Sequence, residues 1–129
     1  MLRVESDGPV LRLTLDRPEV RNAFNDELID ALRTAFGSLA SGARVVVLAG
    51  AGKSFSAGGD LNWMAKAADY TEEQNYEDAL RLGRLFEAIA ECPAAVVARV
   101  HGAAIGGGCG WWRRATWLSR RRGLSSALA

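Results

Sequence analysis

Cysteine is nearly missing from this chain: 129 residues contain two, Cys92 and Cys109. Their spacing suits neither a metal site nor a redox pair. A reducing, cytoplasmic setting is therefore expected. Histidine occurs once, at His101, and proline three times. No apolar run approaches the roughly 20 residues that a membrane helix requires. The N-terminus, Met1-Leu2-Arg3-Val4-Glu5, lacks the apolar stretch of a signal peptide. Acidic residues are absent from residues 111–129, which carry five arginines. The net charge of +1 divides into +5 over residues 111–129 and −4 over residues 1–110. A break that sharp marks a boundary. The hydrophobic content, 49% with a mean hydropathy of −0.01, fits one globular domain with a genuine core.

Strands and helices alternate along residues 1–110, which predicts an α/β fold. Residues 2–6 and 10–15 read as strands around the turn Asp7-Gly8-Pro9. Arg17-Pro18 ends the second strand. Asn25 caps a helix expected to reach about Ala40, with Leu28, Ile29, Leu32, Phe36 and Leu39 on one face. The run Arg44-Val45-Val46-Val47-Leu48-Ala49 reads as a buried strand. A short helix is expected near 61–68. A long one opens at Thr71, with Gln74 completing a capping box, and carries an apolar stripe of Ala79, Leu82, Leu85, Phe86 and Ile89. Pro93 ends it, and Ala95-Val96-Val97-Ala98-Arg99-Val100 forms the next strand.

Two small-residue turns follow strands and carry the chemistry. Ser54-Phe55-Ser56-Ala57-Gly58-Gly59-Asp60-Leu61 follows the strand at 44–49, and Asp60 suits a helix N-cap. His101-Gly102-Ala103-Ala104-Ile105-Gly106-Gly107-Gly108-Cys109-Gly110 follows the strand at 95–100. Backbone N–H groups at such turns are unpaired and can hold an anion, or a carbonyl oxygen that becomes one during reaction. Two turns in one domain can supply two donors to one oxygen. The bland alternative is that these are loop glycines serving positive φ angles.

Gly50-Ala51-Gly52-Lys53-Ser54 imitates a phosphate-binding P-loop. The pattern requires glycine at position 47, where Val47 stands, and a helix starting at Lys53-Ser54, where Phe55 to Gly59 intervene. His101 has no Ser or Cys partner placed for a triad, so a packed or hydrogen-bonded role is expected. Cys109 reads as a small buried filler.

Together with Leu15-Asp16-Arg17-Pro18-Glu19-Val20-Arg21-Asn22-Ala23-Phe24-Asn25, the two turns resemble the crotonase (enoyl-CoA hydratase/isomerase) superfamily, in its order and spacing, over residues 1–110. The resemblance implies an incomplete crotonase-like spiral of ββα units. It implies an acyl-CoA thioester as substrate, in fatty acid metabolism, with no cofactor beyond the coenzyme A of the substrate, no metal, and neither nucleic acid nor membrane as partner. Full-length members form trimers or hexamers. Gly59 and Gly107 would donate their amides to the thioester oxygen as an oxyanion hole. Arg21, Ala23, Ala57, Gly58, Asp60 and Leu61 would line the coenzyme A site; for Arg21 the alternative is a solvated charge, and for Asp60 a helix cap. The family's hydratases use two glutamates as general acid and base. The first falls at Gly110 here; the second lies beyond the matched region. The resemblance implies an enoyl-CoA hydratase or isomerase type of chain, expected to be poorly active; the alternative is a truncated, non-catalytic fragment that at most binds CoA or a partner subunit. An apolar inner face prone to association is expected in either case.

Residues 111–129 form a non-homologous basic tail. Trp111-Trp112-Arg113-Arg114-Ala115-Thr116-Trp117 fits none of the family, in which Leu-Val-Ala-Ala-Cys-Asp-Ile-Ala begins a buried helix here. Tryptophan has a single codon. Taking CGN for arginine and moving the frame back one base allows Leu-Val-Ala-Ala-Cys-Asp-Val. The tail therefore reads as out of frame; a natural basic tail for nucleic acid or anionic lipid is the alternative. Sequencing the locus past the Gly110 codon should reveal further crotonase-like sequence in the neighbouring frame, and its absence would remove the frameshift.

Overall fold

The computed structural model describes residues 1–39 and 42–105 fully, and the backbone of 117–120 and 125–127. Strands β1 (Leu2–Asp7) and β2 (Val10–Leu15) form an antiparallel hairpin. Helix α1 (Asp26–Gly37) leads to β3 (Val45–Gly50), then α2 (Leu61–Ala67), α3 (Glu72–Ala90) and β4 (Ala95–Val100). Short strands β5 (Ala103–Ile105), β6 (Trp117–Arg120) and β7 (Ser125–Ala127) follow. The main sheet runs β1-β2-β3-β4-β6, parallel from β2 onward, and β5 pairs with β7 in a second, two-stranded sheet. The predicted α/β order of elements holds.

Alternation decides which face of the main sheet is buried. Leu11, Leu13 and Leu15 of β2, Val46 and Leu48 of β3, and Val96, Ala98 and Val100 of β4 are all buried and share one face. Leu28, Ile29, Leu32 and Phe36 of α1 pack on that face with Leu85 and Ile89 of α3. Edge strand β1 is exposed on both sides beyond Leu2, and its Arg3, Glu5 and Asp7 discourage pairing with a further strand.

The helix starts follow the expected chemistry. The Asn25 side chain accepts from Leu28 N, and Thr71 with Gln74 closes a reciprocal capping box ahead of α3. One boundary differs. Helix α1 stops at Gly37 rather than near Ala40. Glycine is a poor helix residue, and the Ser38 hydroxyl donates to Thr34 O where the helix would otherwise continue. Leu39 still packs against the core from beyond the helix end.

Burial on this face predicts a lopsided mutational response. Leu48→Ala should lower the unfolding free energy by about 2–5 kcal/mol in urea titration, whereas Arg12→Ala, on the exposed face of β2, should change it by about 0.5 kcal/mol or less.

Candidate functional site

A cavity of about 500 Å³ opens beside the first small-residue turn, lined by Glu19, Val20, Arg21, Ala23, Ala57, Gly59, Asp60, Leu61 and Asn62. Six of the nine positions were singled out from sequence: Arg21, Ala23, Ala57, Gly59, Asp60 and Leu61. Gly58 belongs to the same turn and adopts φ 91°, a conformation that glycine reaches without strain. Gly107, Cys109 and Gly110 lie outside the described residues.

Two segments distant in sequence form the walls. Residues 21–24 lie parallel to 57–60: Ala57 N donates to Arg21 O at 2.9 Å, Phe24 N to Gly58 O at 2.8 Å, and Asp60 N to Phe24 O at 2.9 Å. This ladder fixes the direction of the Gly59 amide. Phe24 bonds to the residues on either side of Gly59, so in an extended segment the Gly59 N–H turns away from Phe24. Among the described residues no acceptor takes it. On its other side the turn meets β5, where Ser56 N donates to Ala103 O and Ile105 N to Ser56 O. A Cβ at position 59 would sit 3.0 Å from Met64 Sδ, so a small residue keeps the corner open.

The walls are held by a charged tie and a neutral one. Arg17 donates to Asp60 Oδ2 at 3.1 Å and to Ala23 O at 2.6 Å. Asp60 Oδ1 accepts from the amides of Asn62 and Trp63 and so caps α2. The Trp63 amide foremost, then the Arg17 guanidinium and the Asn62 amide, hold this carboxyl below its ordinary range, against the opposing push of burial. Asp60 thus lines the cavity with both carboxylate oxygens already engaged. The neutral tie is Asn22, fully buried at 0% exposure. Its Nδ2 donates to Ala51 O and Ser54 O, each at 2.8 Å, and its Oδ1 accepts from Arg17 N at 2.8 Å.

Arg21 and Asn22 are consecutive non-glycine residues in the left-handed region, at φ 54° and 55°. Arg21 is exposed at the cavity rim. The Ala23 amide donates to Val20 O, and its carbonyl accepts from Arg17. Leu61 is 81% exposed, an apolar contact surface at the mouth. His101 Nε2 lies 2.6 Å from Gly52 O, a structural link that pins the loop after β3. Gly102 makes a close approach that glycine alone allows, since a Cβ there would lie 2.0 Å from Lys53 O. The P-loop imitation ends here: α2 begins at Leu61, away from Lys53-Ser54. Among the described residues no group of His, Cys, Asp or Glu is placed to hold a metal ion, and no helix is long and apolar enough to cross a membrane.

Sequence reasoning missed Asn22, Ser56 and the Arg17–Asp60 pair. The pair is separated by 43 positions, beyond any local pattern. Asn22 carried one signal, since asparagine is among the few residues that tolerate a left-handed backbone.

A family profile described as Enoyl-CoA hydratase/isomerase matches residues 5–112. A putative enoyl-CoA hydratase of Thermus thermophilus is 40% identical over 112 residues, covering 85% of this chain and 44% of its own. The mitochondrial Delta(3,5)-Delta(2,4)-dienoyl-CoA isomerase of Mus musculus is 37% identical, over 77% of this chain and 33% of its own. Among solved structures, an enoyl-CoA hydratase from Shewanella pealeana superposes with a TM-score of 0.93 at 32% identity, covering 97% of this chain and 48% of that one. The chain thus spans about half the length, or less, of these relatives.

The lowered Asp60 carboxyl sets a pH signature. Its native value lies below the unfolded one, so its contribution is fully present above about pH 4 and is lost as pH falls through the native value. The stability difference between the parent and Asp60→Asn should be constant at neutral pH and shrink on acidification below about pH 4, read by urea titration across pH. A difference that stays constant down to pH 2 would contradict the charged tie.

Proposed function

The chain belongs to the enoyl-CoA hydratase/isomerase family, and from that premise we propose that its cavity receives an acyl-CoA thioester, with the Gly59 amide directed at the thioester oxygen. The observation that carries this reading is the Gly59 N–H: its neighbours on both sides are bonded, and of the five amides from Ser56 to Asp60 it is the one without an acceptor among the described residues. An unengaged, preorganised donor is what an oxygen gaining enolate charge requires, and one such donor contributes about 3–4 kcal/mol to a transition state.

Gly107 would supply the second donor. Arg21 at the rim offers a guanidinium to a phosphate of the coenzyme. Exposed Leu61 and the apolar edges of Ala23 and Ala57 offer contact to its uncharged arm. With the oxygen held, the α-carbon can gain or lose a proton. The reactions within reach are syn addition of water to a 2-enoyl-CoA and migration of its double bond.

Proton transfer is the step for which this chain is poorly furnished. The first glutamate position of the family's hydratases is Gly110, and residues 111–129 contain no carboxylate side chain. The chain spans 44% of the Thermus relative, which favours a second reading: a portion that holds CoA thioesters without turning them over.

Acetyl-CoA at about 100 times its Kd should stabilise the chain by about 2.7 kcal/mol, seen as a rise in Tm of several degrees. Crotonyl-CoA should be hydrated slowly or not at all. Stabilisation without turnover supports the binding role, rapid turnover supports the complete enzyme, and no stabilisation overturns both.

A further inference from the structure

The turn from Ser56 to Asp60 contains five backbone amides, and four of them have acceptors. Ser56 N donates to Ala103 O, Ala57 N to Arg21 O, Gly58 N to Ser56 Oγ at 3.2 Å, and Asp60 N to Phe24 O. Three of these acceptors are main-chain carbonyls set by strand-like pairing. The fourth is a hydroxyl, and its presence depends on one side chain.

That hydroxyl is buried and oriented. Ser56 is 0% exposed, and its Oγ donates to Asn22 O at 3.0 Å while accepting from Gly58 N. Its one hydrogen therefore points at Asn22, and a lone pair is left facing the Gly58 amide. Asn22 is in turn tied on every side. Its amide hydrogens are both engaged, its Oδ1 accepts from Arg17 N, and its own N–H donates to Arg17 O. The left-handed backbone at Asn22, φ 55°, aims its carbonyl at Ser56.

The consequence concerns the neighbouring amide. Gly58 and Gly59 are adjacent small residues whose N–H groups are the two candidates for a ligand oxygen. Without the hydroxyl, Gly58 N–H would be a second open donor beside Gly59 N–H, directed differently, and the φ 91° at Gly58 would lose its tether. We propose that Asn22 and Ser56 act as a positioning pair: Asn22 orients the Ser56 hydroxyl, which engages the Gly58 amide and leaves the Gly59 amide as the turn's single donor to a thioester carbonyl. This rests on the reading of Gly59 as that donor and adds to it the selection of one amide over its neighbour. Neither side chain touches the substrate; both act through the backbone of the turn.

The pair predicts a change in how the carbonyl is held, with little change in how the coenzyme is held. The test compares the parent chain and Ser56→Ala, each titrated calorimetrically with CoA and with acetyl-CoA. The infrared stretch of carbonyl-13C acetyl-CoA is recorded free and bound. In the parent, binding should lower the carbonyl stretch, as hydrogen bonding does. In Ser56→Ala, the affinity for CoA should be unchanged and most of the lowering lost. Should Ser56→Ala fold poorly, amide exchange in the parent reads the same selection. The Gly58 amide should exchange about tenfold or more slowly than that of Gly59, and Gly59 alone of the two should slow on adding acetyl-CoA. A full infrared shift in Ser56→Ala, or equal exchange at Gly58 and Gly59, overturns the pair. If the parent binds no acetyl-CoA, the thioester reading itself falls, and the exchange of the free chain still decides whether Ser56 leaves Gly59 as the open amide.

Discussion

The site depends on one buried carboxamide. Asn22 sits where the chain leaves β2 and turns toward α1, and it reaches across to the loop that follows β3. A buried amide hydrogen left unpaired costs about 1–3 kcal/mol, more than the roughly 1 kcal/mol that a typical hydrogen bond contributes. The loop at 51–54 therefore has to present two carbonyls to it. Once they are in place, the ladder between 21–24 and 57–60 has a defined register, and that register decides which amides of the turn are engaged. Two left-handed residues in succession, Arg21 and Asn22, carry backbone strain of order 1–3 kcal/mol each. The bonds around Asn22 and the Ala57-to-Arg21 link hold them there.

The main sheet supplies the platform. Parallel pairing of β2, β3 and β4 brings the ends of β2, β3 and β4 to one edge, where the three connections that build the site emerge. Close approach then does the rest. Gly102 lets the segment after β4 run against Lys53 O and His101 pins Gly52, so that the loop after β3 is held from the β4 side as Asn22 holds it from the β2 side. The Arg17–Asp60 pair adds a charged tie between the same walls, mostly out of water, and also starts α2. In this arrangement Asp60 behaves as a cap and a strut rather than as a group free to meet a ligand.

Much of this was legible in the sequence, for reasons that are local. The alternation in Val10–Leu15, the Asn25 cap, the Thr71/Gln74 capping box and the Asp60 cap are short-range patterns, and each formed as expected. The gathering of Arg21, Ala23, Ala57, Gly59, Asp60 and Leu61 about one cavity was expected from family resemblance, since residues 21–23 and 57–61 share no local pattern. The Arg17–Asp60 pair and the Asn22–Ser56 contact stayed hidden because long-range polar contacts leave no periodicity behind. The end of α1 was misread by about three residues, where a glycine and a serine hydroxyl outweighed the apolar face.

The ordering of strands also shapes how the cavity comes into being as the chain folds. Its walls belong to segments on either side of α1 and β3, joined through the parallel pairing of β2 and β3 across that intervening helix. Such a crossover closes a long loop before any contact repays the lost entropy, which makes it a slow event. The cavity wall is thus a long-range product of the topology, made where two distant stretches of backbone come into register.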